Sequence, residues 1–212
     1  MLEDKFLSLK DRLNLLENKY ISPHTDPLEL PSNFELDVES YCVLCHAAFE
    51  EFVEDVCVYL LDELEDKYKT TGRFSFATLC LLHFDSQQSS LDEHWDETKN
   101  MHDYFVERIH KRKDELSTYA RMDNHGVGIK YMKKLLLPVG IDLPHDASKL
   151  NSLSNLVGMR GGYAHAYSSI RLKRVQRPTD PSEAKHWVDD VLEIMENVYN
   201  RARRMSYFKW PY

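Results

Sequence analysis

Arg160, Gly161, Gly162, Tyr163, His165 and Tyr167 fall within one stretch of eight residues near the C-terminal end of the chain. Arg160 is a permanent cation whose planar fork matches a phosphate, and His165 can give or take a proton near neutral pH. Together they suit cleavage of a phosphodiester. Three of the seven glycines lie at 158, 161 and 162, between long apolar patterns of helical period, so this stretch has unusual backbone freedom. On an uninterrupted helix, residues five apart diverge by about 140° around the axis. The pair Gly161-Gly162 predicts a broken or tightened turn that brings guanidinium and imidazole onto one phosphate. The plainer account is a helix closed by a glycine cap, with Arg160 near its C-terminal dipole and His165 on the surface.

The elements that must position this stretch are helical. Leu2, Phe6, Leu9, Leu13 and Leu16 predict an amphipathic helix over 2–19. Pro23, Pro27 and Pro31 punctuate the connection that follows, to Ser32-Asn33. Val38, Tyr41, Cys45, Ala48, Phe49, Phe52, Val56, Leu60 and Leu64 form one stripe, predicting a long core helix over about 35–67. Glu50, Glu51, Glu54, Asp55, Asp62, Glu63, Glu65 and Asp66 lie beside that stripe and read as its solvated face. Phe74 to Phe84 predicts a short buried helix. Ser90 and Glu93 suggest the capped start of a mixed-polarity helix through Leu91, Trp95, His102, Phe105, Ile109 and Tyr119, long enough for a dimer seam. Residues 124–128 read as a turn, and Ile129 to Leu137 as a helix stopped by Pro138. Asp146 or Ser148 caps the helix that carries Leu150, Leu153, Leu156, Val157 and then Arg160. A final helix runs from Pro181 through Trp187, Val191, Ile194 and Val198.

Two other motifs carry chemistry on paper. Cys42-Val43-Leu44-Cys45-His46 has the spacing of c-type haem attachment, but its cysteines fall on the core stripe and no export signal is present. Glu107/His110 and Glu183/His186 have the Glu-x-x-His spacing of a di-iron bundle. Such a bundle also needs inward carboxylates from two further helices. Glu183 is better explained as part of a cap with Asp180, and the ten histidines form no tight ligand set. Neither a metal nor another cofactor is expected.

At 212 residues the chain is long enough for one well-buried core, and a single domain is expected, with 1–34 as an N-terminal helix and connection and 35–212 as the core. The four cysteines suit reduced core thiols. The N-terminus is acidic from position 3, and no run is apolar enough to span a bilayer, which gives a cytoplasmic expectation with no membrane partner. Net charge is −8, unevenly spread: residues 1–100 hold 8 Lys and Arg against 22 Asp and Glu, a balance of −14, and residues 101–212 hold 19 against 13, a balance of +6. The basic half contains the Arg160 stretch. Arg171, Lys173, Arg174 and Arg177 extend it as RNA-binding candidates, or else form an ordinary solvated loop.

Arg160, four intervening residues, then His165, followed by Ala166 and Tyr167 in an all-helical chain, resembles the Arg-x4-6-His motif of HEPN-domain ribonucleases. The likeness extends over roughly residues 36–205 and is greatest to the larger ribonuclease L-like and MAE-type groups. In that superfamily the residue after the arginine is usually polar, and here it is Gly161. The resemblance implies an all-α, up-and-down helical bundle, here with an added N-terminal helix. It implies a metal-independent endoribonuclease, with Arg160 and His165 catalytic and Gly161, Gly162, Tyr163 and Tyr167 supporting. Tyr163 and Tyr167 would orient the site or stack on a base, although tyrosines in helical cores more often pack. The His165-x-Tyr167 ending also resembles HEPN toxins in which the tyrosine is modified. A homodimer joining two motifs in one cleft, and an antitoxin or defence-system partner protein, are implied by the family. The alternative is a non-catalytic HEPN-like interaction module whose acidic half docks a basic partner.

Overall fold

The periodicity of the chain is realised as seven α-helices among the described residues: α1 (Leu2–Tyr20), α2 (Pro31–Thr71), α3 (Phe76–His83), α4 (Met101–Thr118), α5 (Ile129–Leu136), α6 (Ala147–His165) and α7 (Pro181–Tyr207). The computed structural model describes residues 1–84, 100–124, 126–165 and 179–207, without the side chains of 161–165 and 206–207. No strand occurs among these residues, so the fold is all-α, as expected.

Local signals set the helix ends. Pro31 opens α2, where its missing N–H costs no hydrogen bond, four residues before the expected start at about 35. The Ser75 hydroxyl accepts from the Thr78 amide at 3.0 Å and starts α3. Asp146 Oδ1 accepts from the amides of Ser148 (3.0 Å) and Lys149 (3.3 Å) at the head of α6. Asp180 Oδ1 accepts from the Ser182 amide at 2.8 Å at the head of α7. Pro138 ends α5 as expected, through a 3-10 turn over Leu137–Val139 that closes on Gly140 at φ +82°.

The long helix expected over 91–119 is corrected: Asn100 is extended (φ −76°, ψ 165°) and caps a new helix, its side chain accepting from the Asp103 amide at 2.9 Å. The Ser90 and Glu93 cap lies outside the described residues. Nor is α3 buried throughout. Ala77, Thr78 and Leu81 are inside, whereas Phe76 and Leu79 are mostly exposed.

The chain sorts into two compact units. The first comprises Met1–Phe52, His125–Tyr131 and Pro144–Asn197. Its core is built from Leu2, Phe6, Leu9 and Leu13 of α1, Val38, Tyr41, Cys45, Phe49 and Phe52 of α2, Leu153 and Leu156 of α6, and Val188, Val191, Ile194 and Met195 of α7. Phe6 and Phe52 rings lie 5.7 Å apart between centroids. Polar ties reinforce these contacts: Arg12 to Glu51 at 2.7 Å, Lys185 to Glu17 at 3.0 Å and Ser152 to Asp190 at 2.6 Å. Two carboxylates of this unit, Glu29 and Asp37, hold His24 and raise its pKa, the Asp37 hydrogen bond being the largest cause.

The second unit comprises Val53–Asn124, Met132–Leu143 and Val198–Tyr212. Its core takes Val56, Cys57, Leu60, Leu61 and Leu64 from α2, Leu81 from α3, Ile109 from α4, Met132, Leu135 and Leu136 from α5, and Val198 and Ala202 from α7. Tyr68, Phe74 and Phe105 add an aromatic cluster with centroids 4.8–6.2 Å apart. Glu65, expected on the solvated face, is buried. It accepts from Lys113 Nζ at 2.6 Å, and Lys69 Nζ and His110 Nδ1 lie 2.6 and 2.8 Å from its other oxygen. A carboxylate can be buried when cations and donors replace its water.

Candidate functional site

Arg160 reaches its place through the cap and packing of α6. Asp146 starts the helix, Leu153 and Leu156 are fully buried, and Arg160 lies one turn beyond Leu156 at the edge of that apolar face. Its side chain is half-buried, and among the described residues it makes no hydrogen bond or ion pair. A partly desolvated guanidinium without an internal counter-ion is suited to an external anion, because its charge is neither spent on a carboxylate nor fully screened by water.

The expected break at Gly161-Gly162 is absent: α6 continues through both glycines to His165. Each interior glycine costs a helix only about 1 kcal/mol, and a helix whose apolar face is packed absorbs that cost. The Arg160 and His165 backbones therefore stand about 140° apart around one axis. Gly161, Gly162 and Tyr163 lie in the same helix, and the side chains of Tyr163 and His165 are outside the description. Tyr167, Arg171, Lys173, Arg174 and Arg177 lie outside the described residues altogether.

Gly158 needs no special conformation either, since it sits within α6 and a Cβ there would meet nothing within 4 Å among the described residues. Gly158→Ala is expected to raise stability by about 0.5–1 kcal/mol, measured by urea unfolding, through lower chain entropy in the unfolded state.

The structure adds a residue that the sequence did not single out for this site. His46 of α2 is only 2 % exposed. Gly126 stands against its ring at φ +146°, a conformation that side chains rarely adopt, and a Cβ on Gly126 would come within 3.3 Å of both Cε1 and Nε2. Two residues on, a Cβ on Gly128 would lie 3.9 Å from Val157, one helical turn before Arg160. The segment 126–128, read from sequence as a turn, is thus a packed connection with Val127 fully buried. Burial, and secondarily the charge of Arg160, lower the His46 pKa to about 4, so the imidazole is neutral at pH 7. Among the described residues Glu50 also faces it, with Oε2 3.8 Å from Nδ1. A signal was present in the sequence: His46 sits one turn after Cys42 on the apolar stripe of α2, where an imidazole must be buried.

This depressed pKa has a thermodynamic consequence. Between its ordinary pKa of 6.5 and about 4, His46 takes up a proton only when the chain unfolds. Its contribution is complete above pH 6.5 and is lost as pH falls toward 4, by roughly 3 kcal/mol in the limit. Urea unfolding at pH 7 and pH 4.5 should show this loss in the wild type and a shallower one in His46→Gln. Equal slopes would mean that His46 titrates normally.

The remaining motifs find structural partners. His110 pairs with Glu65 and with Asp114 at 3.4 Å, and His186 Nε2 lies 3.6 Å from Asp190. Among the described residues no group of three or more His, Cys, Asp or Glu is arranged to hold a metal ion. Cys42, Cys45 and Cys57 are buried free thiols, and burial pushes Cys42 and Cys57 up to about 12, so they are poor nucleophiles and ligands. No described helix is long and apolar enough to cross a membrane. No curated protein and no solved structure matches the chain. The family model described as RiboL-PSP-HEPN matches residues 7–202, nearly the whole all-helical chain with its Arg160-x4-His165 motif, and the protein therefore belongs to the HEPN superfamily.

Proposed function

We propose that this protein is a metal-independent endoribonuclease in which Arg160 clamps a phosphate and His165 moves a proton while an RNA 2′-OH attacks the adjacent phosphorus and the P–O5′ bond breaks, the 5′-oxygen leaving as a hydroxyl. HEPN domains are often ribonucleases, so membership supports an RNA-related role in general. The observation that carries the finer reading is the half-buried Arg160 guanidinium, which has no hydrogen bond or ion pair among the described residues, five residues before a histidine. In such a reaction the nucleophile comes from the substrate. The protein need only transfer protons and stabilise charge on the non-bridging oxygens.

The continuous α6 helix bears on how the site is assembled. Arg160 and His165 of one copy start from different sides of a helix, so a two-fold dimer pairing Arg160 of one copy with His165 of another is the favoured arrangement. It would also supply two histidines, one as base and one as acid. Arg171, Lys173, Arg174 and Arg177 would extend the cationic surface along the RNA. A role as a toxin or antiviral effector, with an antitoxin or defence-system partner and with Tyr167 as a modification site, extends the same reading.

The test is cleavage of a single-stranded RNA in EDTA, with products ending in a 2′,3′-cyclic phosphate. A 2′-deoxy nucleotide at the cut position should block cleavage, and His165→Ala should lower the rate by about 10²–10⁴ without changing the helical signal. Undiminished cleavage by His165→Ala would remove that residue from the mechanism. The same helical separation favours a second reading, a non-catalytic HEPN interaction module, which predicts an RNA left intact under all these conditions.

A further inference from the structure

Helix α5 carries all its charge on one side. Lys130, Lys133 and Lys134 stand three and four residues apart, so they share about 100° of its circumference, and Met132, Leu135 and Leu136 on the opposite side are fully buried. No Asp or Glu occurs between Asp123 and Asp142. Several lysines elsewhere are neutralised: Lys69 and Lys113 by Glu65, Lys149 by Glu193 and Lys185 by Glu17. The three of α5 make no hydrogen bond or ion pair among the described residues. The Lys134 ammonium lies 3.5 Å from the centroid of the Tyr119 ring, a contact that orients it and leaves its charge intact.

This arrangement works against the helix itself. Like charges three and four residues apart repel, and Lys130 in the first turn opposes the helix dipole. A polyanion laid along the face would relieve both. An anionic membrane would need apolar side chains beside the lysines, and a protein partner an apolar anchor, whereas α5 turns Met132, Leu135 and Leu136 into the core. A single-stranded polynucleotide needs only ammonium groups for its phosphates and an aromatic ring on which a base can stack. Tyr131, next to Lys130 and 37 % exposed, offers such a ring.

We propose that the Lys130, Lys133 and Lys134 face of α5 is a binding surface for the backbone of single-stranded RNA, additional to the Arg160-x4-His165 motif. These lysines hold the strand and do not touch the reacting phosphate. The proposal rests on RNA as the substrate, and its test reads binding, which does not depend on cleavage.

The probe is a short single-stranded RNA with 2′-O-methyl groups at every position, which binds but cannot react, followed by fluorescence anisotropy with the full chain over a range of KCl concentrations. Lys130→Gln/Lys133→Gln/Lys134→Gln keeps the helix-forming tendency and should bind about tenfold more weakly than the wild type, or worse, at low salt. Its plot of log affinity against log salt should be shallower by about 2, because each phosphate contact with a single strand contributes about 0.7. Lys130→Arg/Lys133→Arg/Lys134→Arg, which keeps the charge, should bind within about threefold of the wild type. Circular dichroism checks that both variants fold. Unchanged affinity and salt slope in the glutamine variant, an equal loss in the arginine variant, or a wild type that does not bind the probe would overturn the proposal. So would polyglutamate that binds the wild type more tightly than the RNA does and is released by the glutamine variant, since the face would then belong to an acidic protein.

With an RNA that can be cut, the glutamine variant should raise KM by a larger factor than it lowers kcat, as expected for contacts remote from the reacting phosphate. If RNA is never cut but the salt result holds, the ribonuclease reading falls while the α5 surface stands. If cleavage occurs and the glutamine variant keeps the wild-type affinity and slope, only the α5 surface is lost.

Discussion

Arg160→Ala is expected to lower RNA cleavage by about 10²–10³, the usual effect of deleting one preorganised group that stabilises a developing oxyanion. The variant should fold normally. Arg160 lies at the edge of the α6 apolar face and makes no hydrogen bond or ion pair among the described residues, so truncation leaves no orphaned partner there. Arg160→Lys should recover little, because a lysine supplies the charge without the planar fork that spans two phosphate oxygens. The measurement is single-turnover cleavage of one RNA by the three proteins in EDTA, with circular dichroism as the folding control. A fall of less than about threefold in Arg160→Ala would show that this guanidinium does not hold the reacting phosphate.

Glu65→Ala should cost about 3 kcal/mol of stability at pH 7. The Glu65 side chain is only 4 % exposed, and its oxygens meet the Lys113 and Lys69 ammonium groups and His110 Nδ1 within 2.8 Å. Burial alone would raise its pKa, but hydrogen bonds from Lys113, Lys69 and His110 outweigh that and hold the carboxyl down to about 2. Removing the carboxylate leaves Lys113, itself mostly buried, facing a desolvated space with Asp62 as its one counter-ion among the described residues, and a buried ion pair broken on one side is strongly destabilising. Lys69 is about half exposed and adds little.

The pH window follows from the sign of the shift. A carboxylate with a lowered folded-state pKa contributes in full above its ordinary value near 4.5, and that contribution is lost as pH falls toward 2. The difference between wild type and Glu65→Ala should therefore stay constant from pH 7 to pH 5 and shrink below that. This window lies below the one in which His46 loses its contribution, so unfolding curves at pH 7, 5 and 3 separate the two. A loss under about 1 kcal/mol at pH 7 would mean that the network behaves as a surface ion pair.

The sequence by itself determined most of the helices and the family. Leu2 to Leu16 at helical spacing, the stripe from Val38 to Leu64, and the caps at Asp146 and Asp180 depend only on period and local hydrogen bonding, and all recur as α1, α2, α6 and α7. Arg160 and His165 were legible as a motif because their types and spacing are written along the chain. Tertiary structure decided what local spacing does not encode. Helix α6 runs through Gly161-Gly162 because packing of Leu153 and Leu156 outweighs a small propensity cost, so the motif residues diverge within one copy. Asn100, which reads in sequence as one more polar helical position, is extended and caps the helix that starts at Met101. Glu65 is buried because Lys113 and His110 arrive from 45 or more residues away. His46 is buried with Gly126, eighty residues further along the chain, standing against its ring. Burial and charge depend on which distant residues meet, and a pattern of neighbours along the chain cannot specify that.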